Sequence, residues 1–135
     1  MPKTLELAEH LLTLSKLSWA EVSKETVDLT EAGFLALDHL CHVDTATVGD
    51  LHHHVGVMPS QMSRLLRLLE SSGFVRTTIN PDDRRKVDVT MTEAGREAHD
   101  RYRNAKLAPL VTALQRLTAR EREEFMALVQ RMSGR

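Results

Sequence analysis

The chain has 135 residues, 41% of them apolar, which is enough for one ordinary domain with its own core and too short to expect two. No stretch approaches the roughly 18 apolar residues of a membrane span, MPKTLELAEH lacks a basic region followed by an apolar core, and the single cysteine, Cys41, excludes an internal disulfide framework. A cytoplasmic protein without membrane contact is expected, and its net charge of −1 conceals an asymmetry: residues 1–57 carry 3 Lys/Arg against 9 Asp/Glu, whereas residues 58–135 carry 15 against 10.

From about Thr4 to Lys24, Leu5, Ala8, Leu12 and Leu7, Leu11, Leu14, Leu17 and then Trp19, Val22 follow helical spacing on more than one face, which predicts a helix buried from several sides. Thr30 announces a second helix as N-cap, with Phe34, Leu37, Leu40 and Cys41 recurring at three- and four-residue steps until about His42. A third, short helix begins at Thr47 with Asp50 at the capping-box position, turns Val48, Leu51 and Val55 inward, and stops at Gly56. Pro59 suits the first turn of a fourth helix that buries Met58, Met62, Leu65, Leu66 and Leu69 and closes at Gly73.

After Gly73 the apolar period changes to 2. Val75, Thr77, Ile79 and Val87, Val89, Met91 read as two strands joined by the turn-rich segment NPDDRRK, a hairpin with one buried face. Thr92 then caps a long helix toward Leu117, in which Pro109 is expected to produce a kink or break near Ala108. TARE, from Thr118 to Glu121, is a capping box opening a terminal helix with Phe125, Met126, Leu128, Val129 and Met132. The fold class is mainly α with a small β-hairpin.

Residues 47–72 form two short helices around the Gly56 turn, and the apolar side of the second leaves Ser60, Gln61, Ser63, Arg64 and Arg67 over. Ser60, Arg64 and Arg67 share one outward face, which suits a helix whose N-terminal half touches base edges. The charged hairpin tip that follows, with Arg84, Arg85 and Lys86, makes a winged arrangement with cations ready for an adjacent minor groove. Asp82 and Asp83 partly offset this charge, and one carboxylate is suited to orient an arginine.

Residues 51–98, LHHHVGVMPSQMSRLLRLLESSGFVRTTINPDDRRKVDVTMTEAGREA, resemble the signature stretch of the MarR (multiple-antibiotic-resistance regulator) family. There a leucine-containing helix, Gly, a recognition helix with Ser/Thr-Arg, Leu-Glu-x-x-Gly, a strand, an acidic-arginine wing and Leu-Thr-x-x-Gly follow in this order. Three positions depart from that pattern: Met58 replaces the usual capping Ser/Thr, Asn80 stands where an Asp often begins the wing turn, and Met91 replaces the common Leu. The resemblance implies a winged helix-turn-helix lobe over about 30–92, with dimerisation helices over about 1–25 and 93–135 of one 135-residue domain. It also implies a homodimeric repressor that contacts a pseudo-palindromic double-stranded DNA operator through Ser60, Gln61, Ser63, Arg64, Arg67, Asp83, Arg84 and Arg85. A small phenolic or anionic effector is implied as well. Residues near Trp19, Phe34, His39 and Cys41 are the expected lining of an apolar cleft for it, and they read equally as filled core.

His52, His53 and His54 diverge by about 100° per residue and cannot share a metal, so they read as a solvated face. His39 and His42 are better spaced, but Cys41 continues the apolar stripe on the opposite side, as a packing cysteine does. No Ser/His/Asp grouping, phosphate loop or metal-ligand spacing is present, so neither an enzyme nor a cofactor or metal is expected. Two alternatives stay open: a winged-helix protein-protein interaction module without DNA binding, and a regulator sensing redox or metal.

Overall fold

The computed structural model describes residues 2–25 and 29–134, with side chains described for 3–18 and 29–134. The order is α1 (Pro2–Glu25), α2 (Glu31–His42), β1 (Ala46–Thr47), α3 (Val48–Val55), α4 (Pro59–Ser71), β2 (Val75–Ile79), β3 (Val87–Met91), α5 (Glu93–Leu114) and α6 (Ala119–Met132). Two compact units result, Thr26–Arg103 and Met1–Glu25 with Asn104–Arg135.

The unit Thr26–Arg103 is built on its helix ends. Thr30 accepts the Gly33 N–H and starts α2. Thr47 and Asp50 exchange hydrogen bonds of 3.1 Å in a reciprocal box at the start of α3, satisfying two of the orphan donors of that end. Backbone and side-chain hydrogen bonds from Thr47 hold the Asp50 carboxyl below the usual carboxylate range. Its share of the box is therefore present above the unfolded-state value and lost as pH falls through the lower folded value. Asp50→Ala, which removes that carboxylate, is expected to cost about 0.5–1 kcal/mol at neutral pH. Urea titration of both proteins at pH 7 and below about pH 4 should show the difference shrinking in acid; a constant difference would assign the cost to something other than the box.

Left-handed backbone ends both helices of the pair: Gly56, at φ 78°, donates to the His52 carbonyl, and Gly73, at φ 80°, follows α4. Between them Leu37, Leu51 and Met62 are fully buried, joined by Leu66, Leu69 and Phe74. Each large side chain so buried contributes about 1.5–3 kcal/mol. The expected buried face of α4 needs correcting at its ends, because Met58 is 65% exposed and Leu65 is only half-buried. Met58 precedes the helix, so the helical period does not carry it inward.

The hairpin forms with Val75 opposite Met91, Thr77 opposite Val89 and Ile79 opposite Val87. A third, two-residue strand was not foreseen: β1 pairs on the other side of β3, Ala46 with Val89 and Thr47 with Asp88, giving the order β1-β3-β2. Val75 and Val89 are buried, while Ile79 near the tip is 65% exposed. Thr92 caps α5 through Gly95, and its hydroxyl donates to the Gly73 carbonyl.

In the other unit α5 continues through Pro109 to Leu114, so the expected break near Ala108 is absent. Proline removes a single ladder donor, and Gln115 still donates to Val111 beyond it. Thr118 and Glu121 form the expected reciprocal box of α6. The burial expected of α1 is not found on the single chain: Leu5, Leu7, Leu12 and Leu17 are 50–63% exposed. On α6, Met126, Leu128 and Met132 are also exposed. Leu11, Leu14, Leu110, Leu114, Leu117 and Phe125 line an open, largely apolar hollow of about 640 Å³. None of the described helices is long and apolar enough to cross a membrane.

Candidate nucleic-acid interface

Helix α4 is two-sided. Met62, Leu66 and Leu69 are buried, and Ser60, Gln61, Ser63, Arg64 and Arg67 are all exposed. With no oxygen on Met58, the start of α4 is satisfied from inside the helix: the Met58 N–H donates to Gln61 Oε1 at 2.9 Å, and Pro59 occupies the first turn without an N–H to satisfy. Arg67 Nε leans on the Ser63 carbonyl at 3.4 Å, leaving its remaining guanidinium donors outward.

Strand β2 packs next to α4, and Glu70 links the two by accepting from Thr77 Oγ1 at 2.8 Å and the Thr77 N–H at 3.3 Å. Beyond β2 the wing tip is organised around Asn80. Its Oδ1 accepts the N–H groups of Asp82 and Asp83 at 2.8 and 3.1 Å, and its Nδ2 donates to both oxygens of Asp88 at 3.1 Å. Asn80 N–H also donates to the Lys86 carbonyl. A local side-chain turn of this kind replaces loop entropy with fixed geometry.

The tip presents Arg84, Arg85 and Lys86, all exposed. Asp83 is the carboxylate that orients an arginine: Arg85 Nε donates to its Oδ1 at 3.2 Å, and the Arg85 N–H donates to the same oxygen. Side-chain and then backbone hydrogen bonds from Arg85 lower the Asp83 pKa, so the pair stays ionised through the neutral range. The Arg85 side chain is 91% exposed despite this tether, so its charge is directed without being buried.

The residues expected around an effector cleft fall into different environments. The side chain of Trp19 lies outside the described residues. Phe34 is buried and stacks on His99 and Tyr102, with ring centroids 5.0 and 4.6 Å away. Cys41 Sγ meets the same imidazole, 3.5 Å from His99 Nδ1. His99 Nε2 lies 2.8 Å from Asp38 Oδ1, and Tyr102 donates to Glu31 at 2.5 Å. Phe34 and Cys41 are thus joined through His99, whereas His39 is elsewhere, stacked on His54 at 4.1 Å. Burial pushes the Cys41 thiol up, with Arg96 only partly opposing it, so the reactive thiolate is disfavoured.

Of the three histidines expected on a solvated face, His53 and His54 are exposed and His52 is half-buried, and each ring has a partner, those of His52 and His53 lying 4.9 Å apart. His52 Nδ1 bonds the Val57 carbonyl across the helix-turn-helix turn, and His54 carries the stack on His39. These partners are set by the turn and by packing between helices, which sequence spacing along α3 does not reveal. Among the described residues no group of three or more His, Cys, Asp or Glu side chains has metal-binding geometry.

A model of the MarR family matches residues 29–87, from the start of the α2 cap to the far side of the wing. The uncharacterized HTH-type transcriptional regulator YwhA of Bacillus subtilis is 28% identical over 94% of this chain and 89% of its own. The HTH-type transcriptional repressor Rv2887 of Mycobacterium tuberculosis is 29% identical over 78% and 76%. The crystal structure of a MarR-family transcriptional regulator from Silicibacter pomeroyi superposes with a TM-score of 0.66 at 30% identity, covering 93% of this chain and 86% of that one. The match of family model to the helix pair and wing, together with this extent of likeness along the whole chain, means that the chain belongs to the MarR family of transcriptional regulators.

Proposed function

We propose that the protein is a homodimeric, non-catalytic repressor that binds a pseudo-palindromic operator in double-stranded DNA. One observation carries this reading: the exposed Ser60, Gln61, Ser63, Arg64 and Arg67 face of a well-packed helix stands on the element that adjoins a hydrogen-bonded wing tip bearing Arg84 and Arg85. The helix supplies donors and acceptors suited to a major groove, and the tip supplies cations suited to the narrower groove beside it. Apolar side chains left uncovered on α1 and α6 support self-association through these helices and the second half of α5, since soluble monomers rarely expose contiguous patches of that kind. Two recognition helices in a dimer would enter successive major grooves, with half-site centres roughly 10 bp apart. The repressor sense follows the name of the M. tuberculosis relative.

Fluorescence anisotropy of a labelled random-sequence duplex, read across a salt series, tests this directly. Arg64, Arg67, Arg84 and Arg85 from each of two chains predict a slope of log K against log salt of about −7, with two chains bound per duplex at saturation. A slope near zero, or one chain per duplex, would remove the DNA-binding dimer and favour a protein-protein interaction module on the same scaffold.

A further inference from the structure

We propose that Glu70 is a positioning residue for DNA recognition: it fixes the direction of the wing against α4, so that Arg84 and Arg85 meet the duplex while α4 lies in its groove. The proposal rests on the DNA-binding reading above and names the contact that couples its two halves.

The sheet order β1-β3-β2 leaves β2 at an edge, and the wing tip extends from the far end of that strand. At the near end the Gly73 turn holds the chain to α4, where the Phe74 N–H donates to the Leu69 carbonyl at 2.8 Å. A single anchor leaves the direction of a strand adjustable, and Glu70 supplies a second. Its Oε1 accepts from Thr77 Oγ1 at 2.8 Å and from the Thr77 N–H at 3.3 Å. Thr77 lies about 10 Å beyond Phe74 along an extended chain, far enough for the two anchors together to set the line on which the wing leaves α4. The Thr77 N–H is an edge-strand donor, a group that calls for a partner, and the last turn of the recognition helix provides it. Among the described residues no other side chain of α4 hydrogen-bonds to β2 or to the wing. Both Glu70 bonds lie at the surface, so their removal should disturb the aim of the wing more than the stability of the fold.

Charge and position predict opposite signs for this residue. Glu70 is an anion on the helix that meets a polyanion, so on charge alone its removal tightens binding, whereas loss of the wing's direction weakens it. Duplexes selected from a random pool by the full-length wild type serve as the probe, titrated by anisotropy at about 0.15 M salt. Glu70→Ala is expected to lose about tenfold in affinity, and Glu70→Gln, uncharged but still able to accept from Thr77, to bind at least as tightly as the wild type. Thr77→Val removes the hydroxyl from a strand that suits valine, should fall between them, and carries the test if Glu70→Ala does not fold. In a protein already carrying Arg84→Ala and Arg85→Ala, the same change at Glu70 or Thr77 should cost less than about twofold, because the cations it aims are gone. Equal losses in the two backgrounds would show a merely structural role and overturn the proposal. It is overturned as well if Glu70→Ala and Thr77→Val bind as tightly as the wild type, or if Glu70→Gln loses as much as Glu70→Ala. Failure of the wild type to enrich any duplex overturns it together with the DNA-binding reading, an outcome distinct from the others.

Discussion

Gly95→Ala is expected to lose more than about 3 kcal/mol of stability, enough to leave much of the winged unit unfolded at physiological temperature. A Cβ at this position would stand 2.1 Å from the Phe74 carbonyl oxygen and 2.9 Å from Met91 Cγ. The methionine side chain can swing away. The carbonyl cannot, because it accepts the Thr92 N–H at 3.0 Å, while the Phe74 N–H donates to Leu69 and its ring is buried. Backing α5 away instead would break the Thr92 bonds to Gly73 and Gly95 that fix the start of that helix. Gly33→Ala is the control. There the nearest atom is the flexible end of Leu29 at 2.9 Å, and the gain from replacing glycine inside a helix, about 0.5–1 kcal/mol, offsets the adjustment. Urea denaturation of the two variants should differ sharply in midpoint, and equal midpoints would show that the approach of α5 to Phe74 is not the constraint it is taken to be.

Gly95 also illustrates what kind of feature the sequence makes legible. Thr-x-x-Gly was recognisable as a pattern, but the reason for its glycine lies in a carbonyl twenty-one residues earlier. Local rules did well where the physics is local: Thr30, Thr47 and Thr118 cap the helices expected of them, Gly56 ends α3, and the hairpin register follows the alternation of Val75, Thr77 and Ile79 with Val87, Val89 and Met91. The exposed face of α4 followed from the same periodicity. Periodicity failed where a single chain does not cover an apolar stripe, as along α1, and where pairing is too short to leave a pattern, as in β1. It had no means of finding Asp38 and His99, sixty-one residues apart, or the ring of His99 between Cys41 and Phe34. Cys41 looked like a simple packing residue on α2; it does pack, but against an imidazole whose other nitrogen meets a carboxylate.

Asn80 is the clearest case of a departure that the structure turns into a requirement. As an aspartate it would keep the oxygen that accepts from Asp82 and Asp83, but it would place a second carboxylate against Asp88, where the amide nitrogen now donates at 3.1 Å. Like charges in such contact disfavour one another, so asparagine is the residue that satisfies both sides of the turn.

The wing therefore combines charge and geometry in separable residues, and the effect of removing each should be different. The double variant Arg84→Ala/Arg85→Ala keeps the Asn80 turn and removes two cations per chain. Operator affinity at about 0.15 M salt is expected to fall 100-fold or more, since each lost contact of this type is worth about 1–3 kcal/mol. The salt slope should flatten by three to four in the dimer, because fewer counterions are released from the duplex. Asn80→Ala leaves every cation in place and removes four hydrogen bonds that hold the tip. Its cost is the ordering of a loop at the moment of binding, so affinity should fall about tenfold with the slope unchanged. Asp83 belongs with Asn80 in this respect: it spends a charge to aim Arg85, and its alanine variant should weaken binding despite making the tip more basic. Anisotropy titrations of the selected operator at four or five salt concentrations resolve both quantities for each protein. If the arginine variant kept the wild-type slope, the wing would not be meeting DNA. If Asn80→Ala flattened the slope as much as the arginine pair did, the tip would be contributing charge alone, and its hydrogen-bonded shape would have no part in recognition.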